Sequence, residues 1–233
     1  MLLYVNGDSH SAAAEAAVHF CFAEDDQLYR ALGRKPHPDN LKVSYGYNLA
    51  DQLGATLACD AESASSNDRI IRTTKQYLEK NTPSAVVIGW ATWEREEWLH
   101  DDIYWQVNAG GIGNDWPQEI ANRYKEWVIH TEDNYAKKEL EQHEKIWQFH
   151  NYLKDIPHLF FNTYSCFAHI RLNHLPRYDW GNSYIDPYKE SMTYYFWLLE
   201  NGYQTVSPTS YHFGIDAHKK WAEFLNPHLT KIL

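Results

Sequence analysis

The run Ala85-Val86-Val87-Ile88-Gly89 constrains the fold of this chain more than any other segment. It has no polar residue to turn toward water, so as a strand it must be covered on both faces. That pattern belongs to the interior of a parallel sheet, where crossover helices coat both sides. The preceding segments agree. Leu2 to Val5 is a short β-prone run closed by Asn6-Gly7-Asp8, and Ala55 to Cys59 is a second strand. Between them, Ser11 to Ala17 offers small, strong helix formers, and Tyr47 to Leu53 reads as a short helix stopped by Gly54. Ser66 can cap a helix whose apolar face is Ile70, Ile71, Thr74, Tyr77 and Leu78, with Pro83 after its end. Strands and helices alternating in this order predict right-handed crossovers.

Residues 24–44 are polar, contain Pro36 and Pro38, and read mostly as loop. Residues 90–115 look irregular and Trp-rich, and include Gly110-Gly111-Ile112-Gly113. From Trp116 to Leu153 a helical period predicts one long helix or two in line, with Lys137 to Glu141 as a solvated face. His158 to Asn162 is a fourth strand, residues 171–187 a loop, and Tyr188 to Glu200 and Asp216 to Phe224 are helices. The expected fold class is α/β: a flavodoxin-like three-layer α/β/α sandwich with a parallel sheet. It forms one domain over residues 1–233, with a largely helical, aromatic-rich insertion at about 91–157.

Net charge excludes some partners. At -10, with no block of five or six Lys and Arg, the chain lacks the positive footprint that nucleic acid or an anionic membrane requires. No apolar run approaches the roughly 20 residues of a membrane span. Cys21, Cys59 and Cys166 are scattered without CxxC pairing, as expected of reduced thiols. The first residues are too short and uncharged for a signal peptide, so the expected location is the cytoplasm. The 10 Trp and 17 Tyr are many for this length; most read as core and surface aromatics, and such residues also suit the wall of a ligand site.

Two constellations carry possible chemistry. Gly7-Asp8-Ser9 stands at the carboxyl end of the first strand, where open parallel sheets bind ligands. Ser9 is either a nucleophile near helix N-terminal N–H groups or the cap of the helix expected after it. Near the other end lie His212-Phe213-Gly214 and Ala217-His218. His212 falls in a loop, where it can reach a serine as base; His218 falls inside a helix and reads as a packing residue.

Together these residues resemble SGNH (GDSL-like) hydrolases. Gly7-Asp8-Ser9-His10-Ser11 is similar to that family's nucleophile block, and the step from His212 to His218 followed by Trp221-Ala222 is similar to its last block. The resemblance covers about residues 1–90 and 205–225. It implies an esterase-type serine hydrolase acting through an acyl-enzyme on Ser9, with His212 as base, Asp8 in the catalytic block and no metal or other cofactor. The substrate it implies is a small-molecule or carbohydrate ester.

Three departures stand out. Thr209 occupies the place of the family's acid, so a backbone carbonyl or another acid such as Asp186 orients His212, or Ser9 and His212 act as a dyad. No glycine follows the second strand, leaving an N–H of Ala64 or Ser65 as oxyanion donor. The Asn-Asp expected after the third strand is absent from Gly89-Trp90-Ala91-Thr92, so the donor is Asn67, unless that residue caps or turns the chain, or Thr92. Trp90, Trp93, Glu94 and Arg95 are expected to line the same crevice, flat aromatics and an ion pair suited to a sugar or planar acyl group. Trp93 and Trp98 alternatively anchor the insertion. Residues 64–70 and 89–95 further resemble uncharacterised bacteriophage SGNH-like proteins.

Two rival readings follow. Asp8-x-His10 resembles the first metal block of calcineurin-type phosphoesterases, though that family's other blocks are missing. Alternatively, the altered acid and oxyanion residues describe an SGNH-like scaffold that binds a ligand or protein without turnover.

Overall fold

A computed structural model describes residues 1–22, 35–108, 116–130 and 134–233. Four strands, β1 (Leu2–Gly7), β2 (Thr56–Cys59), β3 (Ala85–Trp90) and β6 (His158–Asn162), form one parallel sheet in the order β2-β1-β3-β6. Every residue of β3 and β6 is buried, as the apolar run requires. Alternation along the strands assigns two faces. Leu3, Val5, Val87, Leu159 and Phe161 pack on one side with α2 (Tyr45–Gln52), α7 (Tyr194–Glu200) and α8 (Ile215–Thr230). Tyr4, Val86, Ile88, Trp90 and Phe160 pack on the other with α3 (Asn67–Leu78) and α5 (Tyr135–Tyr152). The result is a three-layer α/β/α sandwich. Because β2 lies to one side of β1 and β3 to the other, the strand order reverses between β1 and β3, and their carboxyl ends form the switch point at which open α/β sheets bind ligands.

Local sequence explains the helix starts. Ser44 accepts the Tyr47 N–H at 3.0 Å to cap α2, and Ser66 accepts the Arg69 N–H at 3.2 Å to cap α3. Gly54, at φ +59°, ends α2 in a left-handed turn. A short α1 (Pro38–Leu41) stands where loop was expected; the rest of that loop lies partly outside the described residues.

The described part of the stretch 90–115, residues 90–108, is more regular than its sequence suggested. β4 (Glu96–His100) and β5 (Ile103–Val107) form an antiparallel hairpin around Asp101 and Asp102, both at positive φ. This is the backbone of a type I′ turn, which aspartate tolerates. Trp98 and Val107 of the hairpin and Trp116, Ile120 and Tyr124 form a separate small core with α4 (Gln118–His130). The Gly110–Gly113 cluster lies outside the described residues. The long helical period is two helices, α4 and α5. Within its charged run Glu139 is buried and accepts the Ile170 N–H at 3.0 Å, so that run is not wholly a solvated face. A short α6 (Ala168–Leu172) and a 3-10 turn (Glu190–Met192) precede α7, and α8 runs beyond Phe224 through Pro227.

Candidate active site

The segment after β1 departs most from expectation, and it shapes the site. Residues 11–17 form turns, not a helix. Hydrogen bonds from Ala12 N to Asp8 O and from Ala14 N to Ser9 O, both 2.9 Å, begin a coil, but Ala13 (φ +53°) and Glu15 (φ +62°) turn it aside. Tertiary packing overrides alanine's preference here. Ser11 is drawn against the sheet: its Oγ accepts the Tyr45 hydroxyl at 2.7 Å and sits above Gly7 and Gly89. A Cβ on Gly7, itself at φ +156°, would lie 2.1 Å from that oxygen, and one on Gly89 would lie 2.6 Å from it. Both glycines are therefore required for the turn to seat. No helix follows for Ser9 to cap.

Asp8 is fully buried beneath the turn. Its Oδ1 accepts the His10 N–H at 3.0 Å, and its Oδ2 accepts Arg95 Nη1 at 3.0 Å and Thr163 Oγ1 at 3.3 Å. These bonds tie the loops after β1, β3 and β6 together. Arg95 thus pairs with Asp8, not with Glu94. The Ser9 hydroxyl makes no hydrogen bond among the described residues. Its neighbour His10 packs edge-on against His212, with ring centroids 5.4 Å apart, so His212 stands against the serine turn. Burial pushes the His10 imidazole down to about 4, and among the described residues its Nδ1 has no partner.

His212 has an acidic partner that spacing did not reveal. Its Nδ1 lies 2.5 Å from Glu15 Oε2, and the same oxygen accepts Ser210 Oγ at 2.6 Å. Ser210 Oγ also accepts the His212 N–H at 3.0 Å. The hydrogen bond from His212 holds the Glu15 carboxyl below the usual carboxylate range, and Ser210 assists against the opposing effect of partial burial. Thr209 is exposed, and Asp186 is exposed with its Oδ1 accepting the Tyr188 N–H, so neither orients the base. His218 is a packing residue as expected: it is buried, accepts the Tyr45 N–H at 3.3 Å, and is pushed by burial down to about 3.

The candidate oxyanion groups separate clearly. Asn67 is committed elsewhere: its Oδ1 accepts the Ala91 N–H at 2.9 Å, and its Nδ2 donates to Ala91 O and Gln142 Oε1 at 3.3 and 3.2 Å. Both amide hydrogens are used, so it is a bracket holding the start of α3 to the loop after β3. The Ser65 N–H donates to Glu62 O at 3.1 Å. Among the described residues the N–H groups of Ser9 and Ala64 have no acceptor. Ala64 holds φ +63°, where glycine is favoured. The loop carrying it is joined to β1 by the bond from Glu62 N to Gly7 O at 3.2 Å. Thr92 Oγ1 and Ser63 Oγ are buried without partners among the described residues. The loops after β1, β2 and β3 thus each present an unpartnered buried polar atom, at His10, Ser63 and Thr92.

Two expected wall residues are elsewhere. Trp90 continues β3 on the face opposite Gly89 and is fully buried against Phe149 and Phe160. Trp93 is stacked on Phe167, with centroids 4.7 Å apart, also in the core. Trp98 belongs to the hairpin core. Strand parity would have found the first of these, because an odd residue count from Gly89 turns Trp90 to the other face. Among the described residues no three His, Cys, Asp or Glu side chains gather as a metal site, and no helix is long and apolar enough to cross a membrane.

No family model matches the sequence, and no curated protein matches it. Solved structures similar to this chain include a carbohydrate esterase family 2 enzyme with a carbohydrate-binding domain from Corynascus thermopiles (Myceliophthora fergusii). It is 14% identical, with 99% of this chain and 66% of that one covered and a TM-score of 0.45. A family two carbohydrate esterase from Clostridium thermocellum, in complex with cellohexaose, is 12% identical over 99% of this chain and 63% of its own, with a TM-score of 0.45. A G-D-S-L family protein from Desulfitobacterium hafniense DCB-2 is 11% identical over 100% and 99% of the two chains, with a TM-score of 0.41. This chain spans 63 to 66% of the length of the two carbohydrate esterases. The α/β/α sandwich itself is established by the strand order and the helices on both sheet faces.

Proposed function

We propose that the chain is an ester hydrolase in which Ser9 is the nucleophile, His212 the general base and Glu15 the acid that orients the base. The observation that carries this reading is the 2.5 Å contact between His212 Nδ1 and Glu15 Oε2 on the loop that packs against the serine turn. An imidazole held through Nδ1 keeps Nε2 as the acceptor a serine proton needs. This reading requires a Ser9–His212 hydrogen bond in the substrate complex; such bonds are often long without ligand.

Ser9 Oγ attacks the ester carbonyl carbon as His212 Nε2 takes its proton. The oxyanion is met by the N–H groups of Ser9 and Ala64 and by the Thr92 hydroxyl. The tetrahedral intermediate expels the alcohol, which takes the proton from His212. Water, activated by the same imidazole, then hydrolyses the acyl-Ser9 ester and restores the serine. Arg95 and Thr163 act through Asp8 to hold the turn. No step calls on a cofactor. The site lies within one domain spanning residues 1–233, with the hairpin and α4 inserted between β3 and α5.

Hydrolysis of 4-nitrophenyl acetate by wild type, Ser9→Ala and His212→Ala tests this. Wild type turns over, and each variant loses at least about 1000-fold in kcat/KM. Variants that retain wild-type rates would refute the assignment. A folded wild type without turnover would favour a binding protein on the same scaffold.

A further inference from the structure

The tryptophans expected to wall the crevice are in the core, yet flat aromatic surface does stand at its mouth, supplied by tyrosines. Tyr211 precedes His212 in the chain and is 60% exposed. Tyr164 follows Thr163, whose hydroxyl bonds Asp8 under the serine turn. Tyr195 is the second residue of α7, its N–H donating to Thr163 O at 3.0 Å. Ring centroids lie 4.9 Å apart for Tyr164 and Tyr195, and 6.0 Å from each of these to Tyr211. One segment next to His212 and two joined through Thr163 to Asp8 thus bring three phenols into one cluster, partly open to solvent.

The charge around the cluster narrows what it can hold. Tyr164 is raised above the usual phenol range by partial burial, then by Tyr195 and Tyr211, then by the carboxylates of Glu190 and Glu94. The negative charge of these two carboxylates disfavours a phosphate, sulfate or fatty-acid carboxylate beside Tyr164. They accept hydrogen bonds from hydroxyl groups. Aromatic faces cover the apolar C–H faces of a sugar ring, while phenol hydroxyls and carboxylates meet its rim.

We infer that Tyr164, Tyr195 and Tyr211 form a subsite for a neutral sugar ring, so that the ester cleaved at Ser9 is an O-acyl group on a carbohydrate. This rests on the hydrolase reading above for the chemistry, but not for the binding. Two measurements separate them. The first is kcat/KM for mono-O-acetylated methyl xylobioside against 4-nitrophenyl acetate. Tyr211→Ala should lose about tenfold on the sugar ester, mostly through KM, and change less than about twofold on the aryl ester; Tyr211→Phe should stay within about threefold on both. Equal losses on both esters, or none on the sugar ester, would overturn the inference. The second is titration of the wild type with unacylated xylotriose by calorimetry. Saturable binding that weakens about tenfold in Tyr211→Ala supports the subsite even if no ester is hydrolysed. No binding to folded wild type overturns it, whatever the esterase result. Preference for octanoyl over acetyl aryl esters, lost in Tyr211→Ala, would instead make the cluster an acyl-chain site and overturn the sugar assignment.

Discussion

Replacing Glu15 by glutamine isolates the least expected member of the proposed triad. The substitution keeps the side chain's shape and an oxygen for His212 Nδ1, but removes the charge that stabilises the imidazolium as Ser9 loses its proton. With charge centres about 4 Å apart, the interaction is about 4 kcal/mol at an effective dielectric constant near 20. Glu15 is 31% exposed and His212 19%, so water screens part of this. About 2–3 kcal/mol remains, which corresponds to a 30- to 150-fold fall in kcat. Stopped or continuous hydrolysis of 4-nitrophenyl acetate measures it, with melting temperature recorded alongside. Glu15→Asp should recover part of the loss. The stability side has a defined sign. Because the folded protein holds the Glu15 carboxyl below its ordinary range, its contribution is present above that range and is lost as pH falls through the folded titration. The stability gap between wild type and Glu15→Gln should therefore persist from pH 7 to about 5 and close on further acidification. A Glu15→Gln enzyme within threefold of wild-type kcat at neutral pH would refute the role of this residue.

Two other substitutions test the loops around the serine. Ala64→Gly removes the cost of a Cβ at φ +63° and should raise stability by about 0.5–1 kcal/mol, a melting shift of about 2 °C, with hydrolysis unchanged within about twofold. Asn67→Ala leaves the Ala91 N–H and Gln142 without partners in the core; it should cost about 2–3 kcal/mol in urea denaturation, whereas an oxyanion donor would show its loss mainly in kcat.

The sheet was legible because its signals are local. An unbroken apolar run, two turn-closed strands and a serine cap each depend on neighbours a few residues apart, and β3, β1 and α3 follow from them. The two blocks that carry Ser9 and His212 were legible from their characteristic residues, and the structure brings them together through the His10–His212 ring contact. Glu15 was not, since its bond to His212 joins positions 197 residues apart and no spacing encodes it. The surrounding alanines argued for a helix, whereas Ser11 packs over Gly7 and Gly89 and the backbone turns aside at Ala13 and Glu15. The Asp101-Asp102 hairpin was readable in principle: two residues that tolerate positive φ sit between short β-prone runs. Asn67 shows the opposite hazard. Its residue type suited an oxyanion donor, but burial assigned both its hydrogens to the backbone of Ala91 and to Gln142.

The central claim is that Ser9 is an activated nucleophile. Incubation with a fluorophosphonate, followed by intact mass and peptide mapping, tests it most directly. The account requires one adduct per chain on the peptide containing Gly7-Asp8-Ser9, slowed in Glu15→Gln and absent in Ser9→Ala. An unmodified wild-type chain, or an adduct that persists in Ser9→Ala, would contradict it.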